Sequence, residues 1–315
     1  MAIRKSGAIW HNGRFVPWDE ATVHVLTHGL HYGSSVFEGI RAYETPRGTA
    51  IFRLGAHVRR LYDSARLYRM EIPYPREELH AVCREVVRLN RLGNAYIRPI
   101  AYRGYGSLGL VPENNCPIGV SVSAVEWGDY LGEDSLERGV DVCVSSWARL
   151  APNTIPVMAK AGGNYLSSQL VAMEAKRLGY DEGIVLDWQG HVSEGSGQNV
   201  FLVRGGTIFT PPLASSILPG ITRDSVIALA RDMGREVREE ALPREALYLA
   251  DEIFLTGTAT KIVPVRSVDD TSVGDGRRGP VTAALQEAFF GLFSGRTPDS
   301  RGWLEMVAPA QEVPG

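Results

Sequence analysis

Ala159-Lys-Ala-Gly-Gly-Asn-Tyr165 contains the residue on which most of the interpretation rests, Lys160. Between Ala151 and Met173, Lys160 is the only charged residue. Burial among apolar neighbours disfavours the charged ammonium form, so more of the amine is available as a nucleophile. The small residues that follow would let a planar ligand approach the backbone closely. A lysine that extends from a loop into solvent is the ordinary alternative.

The other lysines are weaker candidates for a nucleophile. Only four of the 33 basic residues are lysines. Lys5 lies near the start of the chain and Lys176 lies in a charged helical turn, so both are expected in solvent. Lys261 follows the turn Gly257-Thr-Ala-Thr260 and is the one rival, but it leads directly into a predicted strand. The sequence therefore favours Lys160.

Three glycine-rich turns carry polar groups suited to a phosphorylated heterocycle. Leu218-Pro-Gly-Ile-Thr222 places free N–H groups, a hydroxyl and the positive end of a helix dipole together. Gly257–Thr260 is a second small-residue turn with hydroxyls. Ser193-Glu-Gly-Ser-Gly-Gln-Asn199 holds Glu194, whose carboxylate can keep a ring nitrogen protonated if it is buried. A capped helix or a solvated turn would explain each alone, but with Lys160 they form the set that pyridoxal phosphate requires.

Composition excludes several other classes of function. With 33 basic and 36 acidic residues the net charge is −3, so neither nucleic acid nor an anionic membrane is an expected partner. The three cysteines, Cys83, Cys116 and Cys143, form no disulfide pattern, which is typical of a reducing compartment. The first residues do not resemble a signal peptide, and no apolar run has the length of a membrane span. His28 and His31 lack a third ligand at metal spacing. We expect a cytoplasmic protein without a metal site.

The order of predicted elements indicates two domains. In the first half, strand pairs alternate with helices, Asn12-Gly13 predicts a hairpin turn, and Pro75 marks the start of a helix. We expect an N-terminal α+β domain at 1–126, an interdomain loop at 127–137 and a C-terminal domain at 138–315.

In the second domain, short strands joined by glycine-rich turns are predicted between helices. One helix is predicted to begin with Asn164 as its N-cap and to end at Gly179. Its apolar residues share one face, namely Leu166, Leu170, Met173 and Leu178. Another helix is predicted after Pro219-Gly-Ile-Thr222, and a last one spans 281–293.

Five longer motifs occur in order along the chain. They are His28-Gly-Leu-His-Tyr-Gly-Ser-Ser-Val-Phe-Glu-Gly-Ile-Arg41, Ala95-Tyr-Ile-Arg-Pro99, Ala159-Lys-Ala-Gly-Gly-Asn-Tyr165, Ser193-Glu-Gly-Ser-Gly197 and Leu218-Pro-Gly-Ile-Thr-Arg223. In these motifs the chain resembles branched-chain amino-acid aminotransferases of pyridoxal-phosphate fold type IV, and the resemblance runs from Ile9 to Val307. It implies a fold of mixed α+β and α/β character. The smaller N-terminal domain would be α+β, and the larger C-terminal domain would hold a barrel-like sheet and helices.

The resemblance also implies roles toward a cofactor, pyridoxal 5′-phosphate. Lys160 would form an aldimine with it and act as the acid and base that moves a proton at the substrate α-carbon. Glu194 would pair with the pyridine nitrogen, and Tyr165 would hydrogen-bond the phenolic oxygen. The residues expected to hold the phosphate are Arg60, Ile221, Thr222 and Thr258, with Leu218 packed on the ring.

The reaction implied by the resemblance is a ping-pong transfer of an amino group between L-leucine, L-isoleucine or L-valine and 2-oxoglutarate. One pocket must then accept an aliphatic side chain and the γ-carboxylate of glutamate in turn. Arg98 would bind the γ-carboxylate, because its fork suits bidentate recognition. The α-carboxylate is assigned to Tyr96, Thr258 and Ala259, and the apolar walls to Phe37, Trp127 and Tyr130. In a homodimer or higher homo-oligomer with its active site at the subunit interface, the partner would add the partner subunit's Tyr32, Leu108 and Leu110.

The sequence departs from the family pattern in three places. Gln198 stands where the family often has a glutamate, and Lys261 is a basic residue just past the phosphate turn. The loop at 104–116 also differs. The nearest alternatives share the fold: a D-amino-acid aminotransferase, or a lyase that releases pyruvate from aminodeoxychorismate. A non-catalytic pyridoxal-phosphate-binding protein belongs to another class. Tyr96-Ile-Arg98 and Phe37–Arg41 favour the branched-chain enzyme, and an intact catalytic set argues against the non-catalytic protein.

Overall fold

The computed structural model describes residues 4–112, 116–128 and 134–308. The chain forms two compact units, each built from more than one segment of the chain. The first unit comprises the described parts of 1–128, 159–163 and 293–315, and the second comprises the rest. Lys160 thus belongs to the first unit, although it lies in the range predicted for the C-terminal domain.

The first unit contains an antiparallel sheet and three helices. Its strands are β1 (Ala8–His11), β2 (Arg14–Pro17), β3 (Ser35–Phe37), β4 (Ile40–Thr45), β5 (Gly48–Phe52), β6 (Ala95–Arg103), β7 (Ile118–Glu126) and β17 (Leu304–Met306). They lie in the order β17-β5-β4-β6-β7-β1-β2, and β3 pairs with β6. The helices are α1 (His28–Tyr32), α2 (Leu54–Leu67) and α3 (Arg76–Leu89), with a 3₁₀ turn at Trp18–Glu20.

Local signals account for much of this unit. Asn12 and Gly13 join β1 to β2 with φ angles of 47° and 94°, a left-handed conformation that asparagine and glycine adopt readily. Helix α3 packs on β1, β6 and β7, and α2 packs on α3 and β3. Their buried apolar residues form one core with the sheet, including Leu54, Leu61, Leu79, Val86 and Ile97. The predicted hairpin and the helix predicted to start at Pro75 are confirmed.

The second unit contains a larger sheet with helices around it. Its strands are β8 (Val140–Val144), β9 (Glu182–Leu186), β10 (Val192–Gly195), β11 (Asn199–Arg204), β12 (Thr207–Thr210), β13 (Val237–Glu239), β14 (Glu252–Gly257), β15 (Lys261–Val268) and β16 (Thr271–Ser272). The helices are α4 (Ser135–Arg138), α5 (Tyr165–Leu178), α6 (Ile221–Asp232), α7 (Ala246–Leu249) and most of α8 (Pro280–Ser294). No helix in the described part of the chain is long and apolar enough to cross a bilayer.

Strands of this sheet close into a barrel. They follow the path β10-β9-β8-β15-β14-β11, and β11 returns to β10 through the pairing of Asn199 with Glu194. Strand β8 is parallel to β9 and β15, and the other pairs in the ring are antiparallel. The core of the unit is built from β-branched and leucine side chains, including Val142, Ile184, Val200, Leu255 and Val263. The barrel-like sheet predicted for the C-terminal half is present.

Helix α5 is present where it was predicted, but its packed face differs from the apolar face of the sequence. The larger apolar residues Leu166, Leu170, Met173 and Leu178 are 41–67% exposed, and the buried ones are Ser168, Val171 and Ala175. The reason is close packing on β9, because a Cβ at Gly183 would lie 2.7 Å from Val171 Cγ1. Asn164 is the N-cap without a side-chain capping bond; its Nδ2 donates to the Pro156 carbonyl at 2.9 Å.

Candidate active site

Lys160 is held in the first unit by its main chain. Its N–H donates to Ser64 Oγ of α2 at 3.0 Å, and its carbonyl accepts from the Phe37 N–H of β3 at 3.0 Å. The flanking Ala159 and Ala161 are each 1% exposed. The lysine side chain is half-buried, with Nζ 5.0 Å from the centroid of the Phe37 ring. These contacts fix the Cα position without using the side-chain amine.

Aromatic rings and one arginine gather around Phe37. The Arg98 guanidinium carbon lies 4.7 Å from the Phe37 centroid and 5.1 Å from the Tyr96 centroid, and Nη2 donates to Tyr96 Oη at 3.4 Å. The Tyr96 and Trp127 rings stack with centroids 4.9 Å apart. The structure therefore brings these four predicted substrate residues together with Lys160. Ring faces beside a guanidinium fork offer an apolar surface and a carboxylate site in one place.

Two further residues fix the space around Tyr96. A Cβ at Gly39 would lie 1.8 Å from Tyr96 Oη, so any side chain at this position would displace the tyrosine. Arg41, which is 3% exposed, donates from Nη1 to the carbonyls of Trp127 and Gly128 at 3.3 and 3.1 Å. Arg41 thereby fixes the segment that carries the stacked tryptophan.

Arg60 is a buried ion-pair partner rather than a solvated helix charge. Its side chain is 11% exposed and pairs with Glu38, which is completely buried and also bonds His57 Nδ1 at 2.7 Å. Burial is the largest single influence and alone would raise the pKa of Glu38. The Arg60 charge and the hydrogen bonds from His57 and Arg60 together outweigh it and hold that pKa well below the usual range. Burial lowers the pKa of His57, so its ring is neutral at neutral pH. His57, Arg60 and Ser64 share one face of α2.

Tyr32 and the loop at 108–110 form one exposed patch. Tyr32 Oη donates to the Leu108 carbonyl at 2.7 Å, and His28 Nε2 lies 3.1 Å from the Gly109 carbonyl oxygen. Tyr32, Leu108 and Leu110 are 45%, 49% and 82% exposed. The three residues predicted to serve a partner subunit therefore lie together at the surface of the chain.

In the second unit, Glu194 is buried on β10 with both carboxylate oxygens engaged. Oε1 pairs with Arg149 Nη2 at 2.5 Å, while Oε2 accepts from Asn199 Nδ2 and the Leu218 N–H, each at 3.0 Å. Arg149 Nε also donates to the Ser216 carbonyl at 3.2 Å. With Glu194 only 4% exposed, the solvated-turn alternative is excluded.

Helix α6 begins beside this carboxylate. Its N-cap is Gly220, where a Cβ would lie 1.9 Å from Asn199 Oδ1. Asn199 Nδ2 also donates to the Leu218 carbonyl at 3.0 Å, which ties the loop before α6 to β11. Ile221 and Thr222 open the helix, and the first N–H groups of a helix lack acceptors within it. An anion at this end would meet N–H donors and a positive dipole.

The turn containing Thr258 and Ala259 reaches the same edge of the barrel. It joins β14 to β15, and Thr256 at the end of β14 pairs with Asn199 at the start of β11. The turn after Glu194 is its neighbour, because a Cβ at Gly257 would lie 3.4 Å from the Gly197 carbonyl oxygen. Five predicted cofactor residues of this unit thus lie at one end of the barrel: Glu194, Leu218, Ile221, Thr222 and Thr258.

Four predicted residues remain to be placed. Tyr165 is the half-buried first residue of α5. Gln198 is buried and donates from Nε2 to Glu182 Oε2 at 2.8 Å. Lys261 begins β15, with Nζ 5.7 Å from the centroid of the Phe290 ring. Tyr130 lies outside the described residues.

Four polar residues of these networks are not identified by the sequence analysis: Glu38, His57, Arg149 and Asn199. For Glu38 and Asn199 a signal existed, because each is a polar residue inside a quoted motif of mostly small or apolar residues. His57 carries a weaker signal, its spacing of three residues from Arg60 on a helix. Arg149 carries none, because its pairing with Glu194 is distant in sequence.

Comparison with known proteins identifies the family. Residues 35–268 match the family described as amino-transferase class IV. A branched-chain-amino-acid aminotransferase of Escherichia coli (strain K12) is 55% identical over 307 residues, covering 98% of this chain and 99% of the relative. A crystal structure of the Escherichia coli branched-chain amino acid aminotransferase has a TM-score of 0.95 at 55% identity and covers 96% of this chain and 100% of its own.

A second solved structure is informative about the cofactor. The branched-chain amino acid aminotransferase from Thermobaculum terrenum, in its PLP-bound holo form, has a TM-score of 0.89 at 38% identity, covering 96% of this chain and 99% of its own. These structures confirm the fold implied by the resemblance, and class IV aminotransferases depend on pyridoxal 5′-phosphate. On the match of residues 35–268, the chain belongs to the class IV aminotransferase family.

Proposed function

We propose that this protein is a branched-chain amino-acid aminotransferase that moves an amino group between L-leucine, L-isoleucine or L-valine and 2-oxoglutarate. The observation that carries the proposal is 55% identity to the Escherichia coli branched-chain-amino-acid aminotransferase over 98% of this chain. The described site is consistent with it, because a lysine, an arginine and aromatic rings lie together around Phe37. A cytoplasmic location stays a prediction from the sequence.

The residues present fit pyridoxal 5′-phosphate. Lys160 offers an amine, Glu194 a buried carboxylate, and α6 the N–H donors of a helix start whose N-cap has no room for a side chain. When bound, the cofactor supplies an aldehyde for amine exchange and a ring that accepts electrons from the substrate α-carbon. The residues proposed to hold it are Lys160, Arg60, Tyr165, Glu194, Leu218, Ile221, Thr222 and Thr258.

Each proposed role follows from the chemistry of the side chain. Lys160 Nζ holds the cofactor and moves the proton of the substrate α-carbon, a general acid and base role. Glu194 keeps the pyridine nitrogen protonated through its negative charge. Arg149 and Asn199 set the orientation of this carboxylate. Arg60 and the start of α6 supply positive charge and N–H donors for the phosphate.

The substrate pocket is proposed to discriminate by shape at one end and by charge at the other. Phe37, Trp127 and Tyr130 would form the apolar wall, and Tyr96, Thr258 and Ala259 would bind the α-carboxylate. Arg98 lies over two aromatic rings, so its planar cation can pack beside an aliphatic side chain or bind the γ-carboxylate of glutamate. One pocket can thus serve both substrates of the reaction.

We also propose a homodimer or higher homo-oligomer. The exposed patch on the first unit contains Tyr32, Leu108 and Leu110, and the residues Leu30 and Val111, close to them in sequence, are exposed as well, with exposures from 45% to 82%. Large apolar side chains exposed together are typical of a protein–protein contact. In such an assembly the partner subunit's Tyr32, Leu108 and Leu110 would complete the pocket wall.

A half-reaction tests the proposed function. The enzyme carrying pyridoxal 5′-phosphate is mixed with L-leucine in the absence of any 2-oxo acid. We expect the absorption of the lysine-bound cofactor to give way to that of pyridoxamine 5′-phosphate. A response to D-alanine but not to L-leucine would support a D-amino-acid aminotransferase instead, and no response to either would contradict aminotransferase activity.

Replacement of Arg98 by alanine is expected to separate the two substrates. Loss of a bidentate partner should lower kcat/KM for L-glutamate by about 10²-fold, and L-leucine should be affected far less. Steady-state kinetics with each substrate measure the difference. Arg103→Ala is the matched control, because Arg103 also lies on β6 but donates to the carbonyls of Tyr68 and Arg69. Equal losses for both substrates would make Arg98 a structural residue.

A further inference from the structure

Glu38 is a fully buried carboxylate directly after β3. Its Oε1 accepts from Arg60 Nε at 2.6 Å, and its Oε2 accepts from Arg60 Nη2 at 2.8 Å and from His57 Nδ1 at 2.7 Å. Both side chains of the Glu38–His57 pair are completely buried. Two parallel N–H···O bonds to one carboxylate fix both the position and the plane of a guanidinium. Glu38 engages one edge of Arg60, the edge formed by Nε and Nη2.

His57 is the second side chain that donates a hydrogen bond to this carboxylate. A carboxylate only accepts, so Nδ1 carries the ring proton, and because burial lowers the pKa of His57 the ring is neutral. Within the described part of the chain, its Nε2 is buried without a hydrogen-bond partner, as a lone pair in this tautomer. The network therefore holds one negative charge, on Glu38, and one positive charge, on Arg60. Glu38 is hydrogen-bonded to two residues of α2, His57 and Arg60.

The same helix face meets the main chain of Lys160. Ser64, one turn after Arg60 on α2, accepts from the Lys160 N–H at 3.0 Å, and the Lys160 carbonyl accepts from the Phe37 N–H. Phe37 is the residue that precedes Glu38. The orientation of Arg60 and the position of the lysine are thus set by the same two elements, β3 and α2.

We propose that Glu38 is a positioning residue that holds Arg60 in the orientation required to bind the phosphate of pyridoxal 5′-phosphate. This inference rests on the proposed function, in which Arg60 contacts that phosphate. Glu38 binds the guanidinium through Nε and Nη2, and these two bonds fix its plane and its position. A guanidinium already fixed in place loses less conformational freedom when an anion binds. Glu38 thereby determines how strongly the protein prefers the phosphorylated cofactor to pyridoxal.

Equilibrium binding to the apoenzyme tests the role of Glu38. Dissociation constants for pyridoxal 5′-phosphate and for pyridoxal are measured by quenching of tryptophan fluorescence in wild type and Glu38→Gln. A glutamine places an NH2 donor against an Arg60 or His57 N–H, so the guanidinium loses its fixed plane. We expect pyridoxal 5′-phosphate to bind about tenfold more weakly or worse, with pyridoxal little changed. Unchanged binding of both, or an equal loss for both, would overturn the proposal.

Three further variants separate the possible failures. Glu44→Gln is the matched control, because Glu44 is an exposed glutamate on the neighbouring strand β4 and should leave both constants unchanged. Arg60→Met should remove the preference for the phosphorylated cofactor. If Arg60→Met keeps that preference, the proposed phosphate role of Arg60 fails. If Arg60→Met loses the preference and Glu38→Gln keeps it, the inference about Glu38 fails. Should Glu38→Gln not fold, Glu38→Asp keeps the charge but cannot reach both partners. It should show the same selective loss, and equal losses in it would again overturn the proposal.

Discussion

Lys160→Ala is expected to lower turnover by at least about 10³-fold while the protein remains folded, because the amine is proposed both to hold the cofactor and to move the α-carbon proton. The fold should survive because the contacts that place this residue are made by its main chain. The Ser64 hydroxyl and the Phe37 N–H bond its N–H and carbonyl, and alanine retains both groups. The flanking alanines already pack tightly, each 1% exposed.

Stopped-flow absorption with L-leucine and steady-state turnover with 2-oxoglutarate measure the effect of Lys160→Ala. Thermal unfolding of the same preparation shows whether the fold is intact. Lys176→Ala provides the control, since Lys176 is an exposed lysine in the last turn of α5. Turnover close to wild type in Lys160→Ala would remove this lysine from its proposed role, whereas loss of turnover with loss of folding would require the more conservative Lys160→Met.

The parts of the fold that follow from sequence are those with local causes. Asn12-Gly13 predicts the β1–β2 hairpin because both residues tolerate the left-handed backbone that the turn adopts. Pro219-Gly-Ile-Thr222 predicts a helix start from neighbouring residues alone, and α6 begins within this segment, at Ile221 with Gly220 as its N-cap. Lys160 stands out for a similar reason, since its isolation among uncharged residues is visible within a short window.

The polar networks behind the site could not be obtained in this way. Arg60 lies on an amphipathic helix, where a solvated charge is the usual outcome. Its partner Glu38 is separated from it in sequence by the two strands β4 and β5. Arg149 and Glu194 are likewise joined only by folding. A buried charge needs a partner, but the sequence does not say which partner, because the pairing depends on how the strands are arranged.

Helix α5 shows that periodicity alone does not fix the packed face. Its larger apolar residues mark one side clearly, yet the side that meets β9 is the one with small residues. Gly183 allows the helix to approach so closely that Val171 fills the place of a side chain. The choice between a leucine-rich and a small-residue face depends on the distance between helix and sheet, which is a property of the assembled structure.

Glu194→Ala is expected to slow the half-reaction with L-leucine by about 10²-fold or more, because the carboxylate is proposed to stabilise positive charge on the cofactor ring. It should also lower the free energy of unfolding by about 3–5 kcal/mol, since a buried arginine is left without its counter-ion. Arg149 and Glu194 are only 8% and 4% exposed, so water can do little to replace the lost partner. The Asn199 amide and the Leu218 N–H lose an acceptor as well.

A matched pair of variants separates the catalytic from the structural effect of Glu194. Glu239→Gln also removes a carboxylate from a buried arginine, Arg223, in the same unit, but Glu239 has no proposed part in cofactor binding. We expect this control to lose stability in chemical denaturation while its half-reaction rate stays unchanged. Glu194→Gln should recover part of the stability, because its amide oxygen can still accept from Asn199, yet remain slow. A fast half-reaction in Glu194→Gln would show that the negative charge is not what the cofactor ring requires.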